Sequence, residues 1–268
     1  MDKMMEEKNE TMKHFKEFNI HRRSMPPAVS IERWSEAQKW ELEFWNRQNI
    51  PSVWWKRLLR PLFVAVGLRP LRRKQKLDDR NYWWMEQFKG YSDLPMEIET
   101  ACELGCGPYT NMRLISQNRD INYIHCSDPL ARHYLTYRRA WLANAARSGH
   151  IAVDFHPVEE CPYRTDYFQL TILINVLDHV RDAKKCLEEA IRITTPRGYL
   201  VFGQDLTGPN NRHPSNPGHP FLLNHQQLEL ILDRACDRIY HRIVPREEIS
   251  EPEMHYGALV YIGRKQRG

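Results

Sequence analysis

The sequence predicts an α/β fold: a seven-stranded, mostly parallel sheet with helices on both faces and an antiparallel C-terminal hairpin, plus a helical N-terminal cap. Three observations predict it. From residue 98 onward, short apolar runs alternate with helical stretches in units of roughly 25 to 30 residues, the pattern of right-handed crossovers between parallel strands. The last two apolar runs have only Pro245 to Met254 between them, which makes a hairpin of the final pair. Ahead of residue 97 the chemistry differs, because Trp34, Trp40, Trp45, Trp54, Trp55, Trp83 and Trp84 are seven of the eight tryptophans.

In chain order, residues 1–30 are polar and read as a loose arm ending in Met25-Pro26-Pro27. Trp34, Ala37, Trp40, Leu42, Phe44 and Trp45 then recur near helical spacing, which predicts an amphipathic helix over 31–48 inside a cap spanning 31–97. The domain proper is 98–268. Its strands are expected near 98–103, 121–127, 150–156, 168–174, 197–204, 238–245 and 256–263, and its helices near 109–118, 131–146, 182–194 and 224–236. A length of 268 residues suits one such domain with an appendage.

Charge is unevenly placed. The chain has 39 Lys and Arg against 34 Asp and Glu, and residues 54–76 hold eight of the bases and no acid. Without that segment the balance is 31 against 34, so the excess of +5 belongs to one stretch. No run reaches the ~18 apolar residues of a membrane span, and Met1 to Glu10 is too charged for a secretory signal. A cytoplasmic protein is expected, with peripheral membrane contact through 54–76 as one use of its basic segment. The six cysteines include no Cys-x-x-Cys pair, so neither a disulfide framework nor a zinc ribbon is expected.

The most specific signal is Glu103-Leu104-Gly105-Cys106-Gly107-Pro108 at the end of the first expected strand. Two glycines one residue apart let the backbone turn tightly and approach a ligand, and the following helix offers free amides. The ligand is nucleotide-sized. A dinucleotide fingerprint wants a third glycine where Thr110 stands, and no Lys-Ser or Lys-Thr follows, so a phosphate cradle is excluded. Glu103 would repel phosphate and accept hydrogen bonds from a ligand ammonium group. Asp128 closes the second strand, where a ribose diol is usually held. Two acids around a glycine turn fit a cationic, phosphate-free nucleoside.

On these residues the chain resembles the class I S-adenosylmethionine-dependent methyltransferases, and among them the type 11 small-molecule group. The resemblance covers about 98–205 by ordered motifs and 224–264 by topology, and it implies a Rossmann-like sheet and S-adenosyl-L-methionine as cofactor. Glu103, Gly105 and Gly107, with Cys106 between them, match the first motif, and Asp128, followed by Pro129, matches the ribose-binding acid. Val158 to Tyr163 looks like the adenine-side motif, although Pro157 stands where many members have Asp, which leaves Glu159 as the substitute. Leu170 to Val180 is similar to the fourth strand and its turn, which implies Asn175 beside the methionine portion.

Methyl transfer from a sulfonium needs alignment, and removal of the acceptor's proton where that proton is held tightly. Candidate bases lie after strands four and five: His179 first, then Asp205, and His213 and His219 in the Gly/Pro/Asn-rich loop from Thr207 to Pro220. His213 and His219 show no third ligand at a useful spacing, so no metal is expected. Residues 54–76 have three readings: a lid over the substrate, placed first; an anionic membrane surface; and a nucleic acid, placed last. The expected activity is O-methylation of a small molecule or glycan, anionic or lipid-linked ones included. The alternatives are an RNA methyltransferase and a non-catalytic binding protein on the same fold.

Overall fold

The computed structural model describes residues 25–49, 79–206, 217–249 and 257–267. The basic segment 54–76, residues 1–24 and His213 lie outside these, as do the readings placed on them. The elements are α1 (Ile31–Asn49), α2 (Asp79–Gln87), β1 (Glu97–Leu104), α3 (Met112–Ile115), β2 (Asp120–Ser127), α4 (Ala131–Tyr134), α5 (Trp141–Arg147), β3 (Ala152–Asp154), β4 (Phe168–Ile174), α6 (Ala183–Ile193), β5 (Thr194–Leu206), α7 (His225–Ala235), β6 (Cys236–Pro245) and β7 (Gly257–Lys265).

The sheet has seven strands in the order β3-β2-β1-β4-β5-β7-β6. The first five are parallel, whereas β7 runs antiparallel to both β5 and β6. All seven strands form where the apolar runs predicted them. The final hairpin has a twist in its order: the last strand is inserted between β5 and β6 rather than added at the edge.

Central strands are buried on both faces, and their side chains alternate between two cores. In β7, Ala258, Val260 and Ile262 face one core and Leu259 and Tyr261 the other. The first core takes Trp84, Phe88, Met112 and Leu142; the second takes Leu187, Ala190, Leu228 and Leu232 from α6 and α7. In α6, Ala183, Cys186, Leu187, Ala190 and Ile193 are buried at the three- and four-residue steps of one helix face, and Asp182 caps it by accepting from Lys185 N at 3.0 Å. In α7, Asn224 and Gln227 form a reciprocal capping box.

Several expected elements differ in detail. The helix expected at 109–118 is the single turn α3 followed by a 3-10 turn, because Thr110 (φ 25°) and Asn111 are taken up by the glycine turn before it. The helix expected at 131–146 is split into α4 and α5 at an extended Ala140, beyond which Leu142 N donates to Pro108 O at 3.3 Å. The boundary drawn at residue 97 crosses core that has already begun: Trp84, Phe88 and Tyr91 are all buried against the sheet. Met25 and Val29, at the end of the expected arm, pack on the second core, and Val29 N donates to Arg181 O at 2.9 Å. Among the described residues no helix is long and apolar enough to cross a membrane.

Candidate active site

The pocket lies beyond the carboxyl ends of β1, β2 and β4, where the strand order reverses direction. Its floor is the glycine turn. Gly105 and Gly107 both have positive φ (64° and 57°), and Gly105 N and Cys106 N donate to Ser127 O at 2.7 and 3.2 Å. Two different demands fall on the glycines. A Cβ at Gly105 would sit 2.5 Å from a Val176 methyl, whereas a Cβ at Gly107 would meet nothing within 4 Å. The first glycine permits packing under the turn, and the second leaves a bare backbone facing open space.

Asp128 holds the turn from the side: its carboxylate accepts from Gly107 N at 3.0 Å and from Leu130 N at 2.8 Å. Burial pushes its pKa up to about 6 against those two bonds, with Glu41 adding to the rise and His179 opposing it. Cys106 and Pro129 line the same wall.

Glu103 is engaged within the chain. Its carboxylate lies behind the turn, accepting from Asn111 N (2.9 Å), Asn111 Nδ2 (3.1 Å) and Met112 N (2.7 Å), so both oxygens are engaged by the start of α3. Burial raises its pKa to about 7 in spite of these donors. A ligand ammonium would have to compete with the helix for this carboxylate, because Glu103 acts first as the cap of α3.

On the opposite wall, Glu159 accepts from Arg181 N (2.7 Å) and Asp182 N (2.9 Å) through Oε1. Its Oε2 is buried with no hydrogen-bond partner. A buried acceptor without a donor is costly, and at a pocket wall it suits an N–H of a bound ligand. The exocyclic amine of adenine is such a donor, so the residues present fit an adenine nucleoside.

Asn175 follows β4 in the left-handed region (φ 56°), a conformation asparagine tolerates better than most residues. Its N donates to Gly203 O at 2.7 Å and its Oδ1 accepts from Asp205 N at 3.2 Å. Asp205 is buried and ion-paired to Arg80, whose guanidinium stacks 4.3 Å from the Trp83 ring centroid. Of these two, Arg80 reaches the pocket wall; the Asp205 carboxylate is turned to Arg80.

His179 lines the pocket at the end of the β4 turn. Its Nδ1 lies 3.0 Å from Gly218 O, and since a carbonyl can only accept, Nδ1 carries a proton, which leaves the lone pair of the neutral ring on Nε2. Burial works against a charged ring, but Asp178, Glu41, the Gly218 carbonyl and Asp205 outweigh it and raise the His179 pKa. The ring of His219 stands 4.4 Å from that of His179. Asp178 lies between them, bonded by Gln204 Nε2 at 2.9 Å. Burial disfavours its charge, yet His179, His219 and Gln204 together keep its pKa below the ordinary value.

The roof comes from the cap. Trp34, Gln38, Glu41 and Trp45 lie four, three and four residues apart, one face of α1, and all reach the pocket, as do Arg80, Asn81 and Trp84 of α2. Gln38 Nε2 donates to His179 O at 3.2 Å, and Gly218 packs so closely on Trp40 that a Cβ there would overlap the ring. Sequence reasoning found α1 but missed what this face does. The signal was present, since Gln38 and Glu41 interrupt a face otherwise made of tryptophan.

Residues 102–202 match the family described as a methyltransferase domain. Among solved structures, the chain is similar to the N-methyltransferase NodS from Bradyrhizobium japonicum in complex with S-adenosyl-L-homocysteine, at 15% identity and a TM-score of 0.54, over 74% of this chain and 92% of that one. It is similar to the [4+2]-cyclase SpnF at 14% identity and a TM-score of 0.59, over 92% and 100%. A third is 1,6-didemethyltoxoflavin-N1-methyltransferase from Burkholderia thailandensis, at 14% identity and a TM-score of 0.51, over 80% and 89%. At these identities the structural likeness speaks for the fold, and the family match speaks for the domain. Residues 102–202 thus carry a match to the methyltransferase domain, set in a sheet whose fold is shared with solved S-adenosylhomocysteine-bound methyltransferases.

Proposed function

We propose that this chain is an S-adenosylmethionine-dependent methyltransferase that methylates a hydroxyl of a neutral small molecule or glycan, in a chamber roofed by α1 and α2. The observation that carries this reading is His179, a histidine on the pocket wall whose Nδ1–H is held by Gly218 O at 3.0 Å, beside Asp178 and His219. A hydroxyl gives up its proton reluctantly at neutral pH, so an oxygen acceptor needs such a cluster where its proton leaves. A neutral amine brings its lone pair already exposed.

In this reading Gly105, Cys106, Gly107, Asp128 and Pro129 hold the ribose side of S-adenosylmethionine, Glu159 takes the adenine amine through its orphaned Oε2, and Asn175 stands beside the methionine portion. The donor supplies an electrophilic methyl, and the chain's residues align it and exclude water. Glu41, Asp128 and Glu159 outnumber Arg80 around the chamber, which suits a cationic donor and disfavours an anionic acceptor. Asp205, held by Arg80, takes a positioning part through Asn175 rather than a direct one.

The test is transfer of a labelled methyl group from S-adenosylmethionine to a panel of sugar hydroxyls, phenols and amines, with native protein and His179→Ala. General acid–base groups contribute about 10²- to 10⁴-fold, so kcat on a hydroxyl acceptor should fall at least about 100-fold in the variant. Methylation of amines alone, or unchanged turnover in His179→Ala, would refute the reading.

A further inference from the structure

We propose that Asp178, His179 and His219 form a binding site for one divalent transition-metal ion at the edge of the donor pocket. Asp178 and His179 sit on the turn after β4, and His219 arrives from the segment after β5, forty residues away in sequence. One ligand atom from each residue lies within 4.8 Å of the other two. His179 Nε2 is 3.7 Å from Asp178 Oδ1, and His219 Nε2 is 3.9 Å from Asp178 Oδ2. Neither distance is a hydrogen bond. Both are slightly wider than the separation of about 3.0–3.4 Å between ligand atoms each about 2.1 Å from one ion, so small side-chain rotations close the site.

The surroundings are those a metal site requires. A ligating histidine ordinarily donates its other ring N–H to a carbonyl or carboxylate, which fixes the ring and leaves the second nitrogen free. His179 does this with Gly218 O at 3.0 Å. The carboxylate ligand is itself oriented: Gln204 Nε2 donates to Asp178 Oδ1 at 2.9 Å, and Leu177 N donates to Gln204 Oε1 at 3.0 Å. Two imidazoles and one carboxylate leave coordination positions open, and this donor set selects iron, cobalt, zinc or manganese rather than calcium.

The role of the ion rests on the oxygen-acceptor reading and would take the place of direct proton transfer to His179, whose Nε2 would then be on the metal: the ion would lower the pKa of a bound acceptor hydroxyl, whose proton would pass to solvent water. The site itself stands on geometry alone.

The experiment is titration of the metal-free full chain with Co²⁺, read by visible d–d absorption and by calorimetry, with Zn²⁺ as competitor. Native protein should bind one ion that produces these bands. His219→Ala should lose at least tenfold in affinity together with the bands, and His179→Gln should do the same. His241→Ala removes an imidazole from a separate contact with Glu229 and should leave binding unchanged. Far-UV circular dichroism establishes that each variant is folded. Native protein that binds no ion, or binding that survives both His219→Ala and His179→Gln, overturns the metal site. Methyl transfer that depends on His179 while no ion binds would leave the oxygen-acceptor reading standing and remove only this inference.

Discussion

Gly105→Ala separates two costs that meet at one atom. The added Cβ would lie 2.5 and 2.7 Å from the two methyls of Val176, and the backbone there has φ 64°. Val176 is β-branched and buried, so its methyls cannot swing away. Overpacking of this kind costs about 1–3 kcal/mol, and the left-handed backbone adds about 1–2 kcal/mol for a residue with a Cβ. The variant should lose roughly 2–5 kcal/mol, a large share of a typical stability of about 5–15 kcal/mol. Val176→Ala removes the obstructing methyls and alone costs about 1–2 kcal/mol. In the double variant the two methyl clashes go, leaving Val176 Cβ at 3.2 Å and the backbone part, so the two changes should couple favourably by about 1–3 kcal/mol. Urea unfolding of the four proteins measures the coupling, and titration with S-adenosylhomocysteine follows the site in parallel. Additive losses would show that Val176 does not press on the turn, and an undisturbed Gly105→Ala would refute the account of the turn altogether.

Other consequences can be measured as simply. In the proposed reading Asp128 accepts from ribose hydroxyls as a carboxylate, and with a pKa of about 6 it gains protons as pH falls through that value. Affinity for S-adenosylhomocysteine should therefore rise from pH 5 to 7 and then level off; Asp128→Asn should flatten that rise and weaken binding about 10- to 100-fold, the worth of a hydrogen bond to a charged group. A native affinity that does not change with pH would remove this role. Trp84→Ala should cost about 3–5 kcal/mol by urea unfolding, because its ring is fully buried against Gly203 of β5. A loss below 1 kcal/mol would mean that α2 is a detachable cover and not core.

What could be read from the sequence follows what each residue's role depends on. Gly105 and Gly107 were legible because a backbone turn restricts residue type directly, and Asp128 because its place after the second strand is set by topology. The strands were legible because β4 and β7 bury both faces and so appear as unbroken apolar runs. The split between α4 and α5 was not, since a tertiary bond from Leu142 N to Pro108 O accompanies it and local propensity carries no trace of that. Glu103 was singled out as an acid at the turn for a ligand ammonium group, but from the sequence a helix cap and a ligand contact look the same. The cluster of Asp178, His179 and His219 was hidden for another reason. His219 was paired with His213 by proximity in sequence, whereas its neighbours in space come from the turn after β4. The pocket-facing polar residues of α1 were likewise invisible until the helix was docked.

The position of β7 bears on how the molecule is made. Inserted between β5 and β6, it supplies all of β6's strand pairing among the described residues. During synthesis β5 and β6 emerge first, yet neither can pair with the other, and each must wait with an open edge for residues 257–265. Closing the sheet is thus a late event, and until then both edges are exposed to wrong partners. Slow steps in refolding, and sensitivity to aggregation, should concentrate in this half of the sheet rather than around the glycine turn.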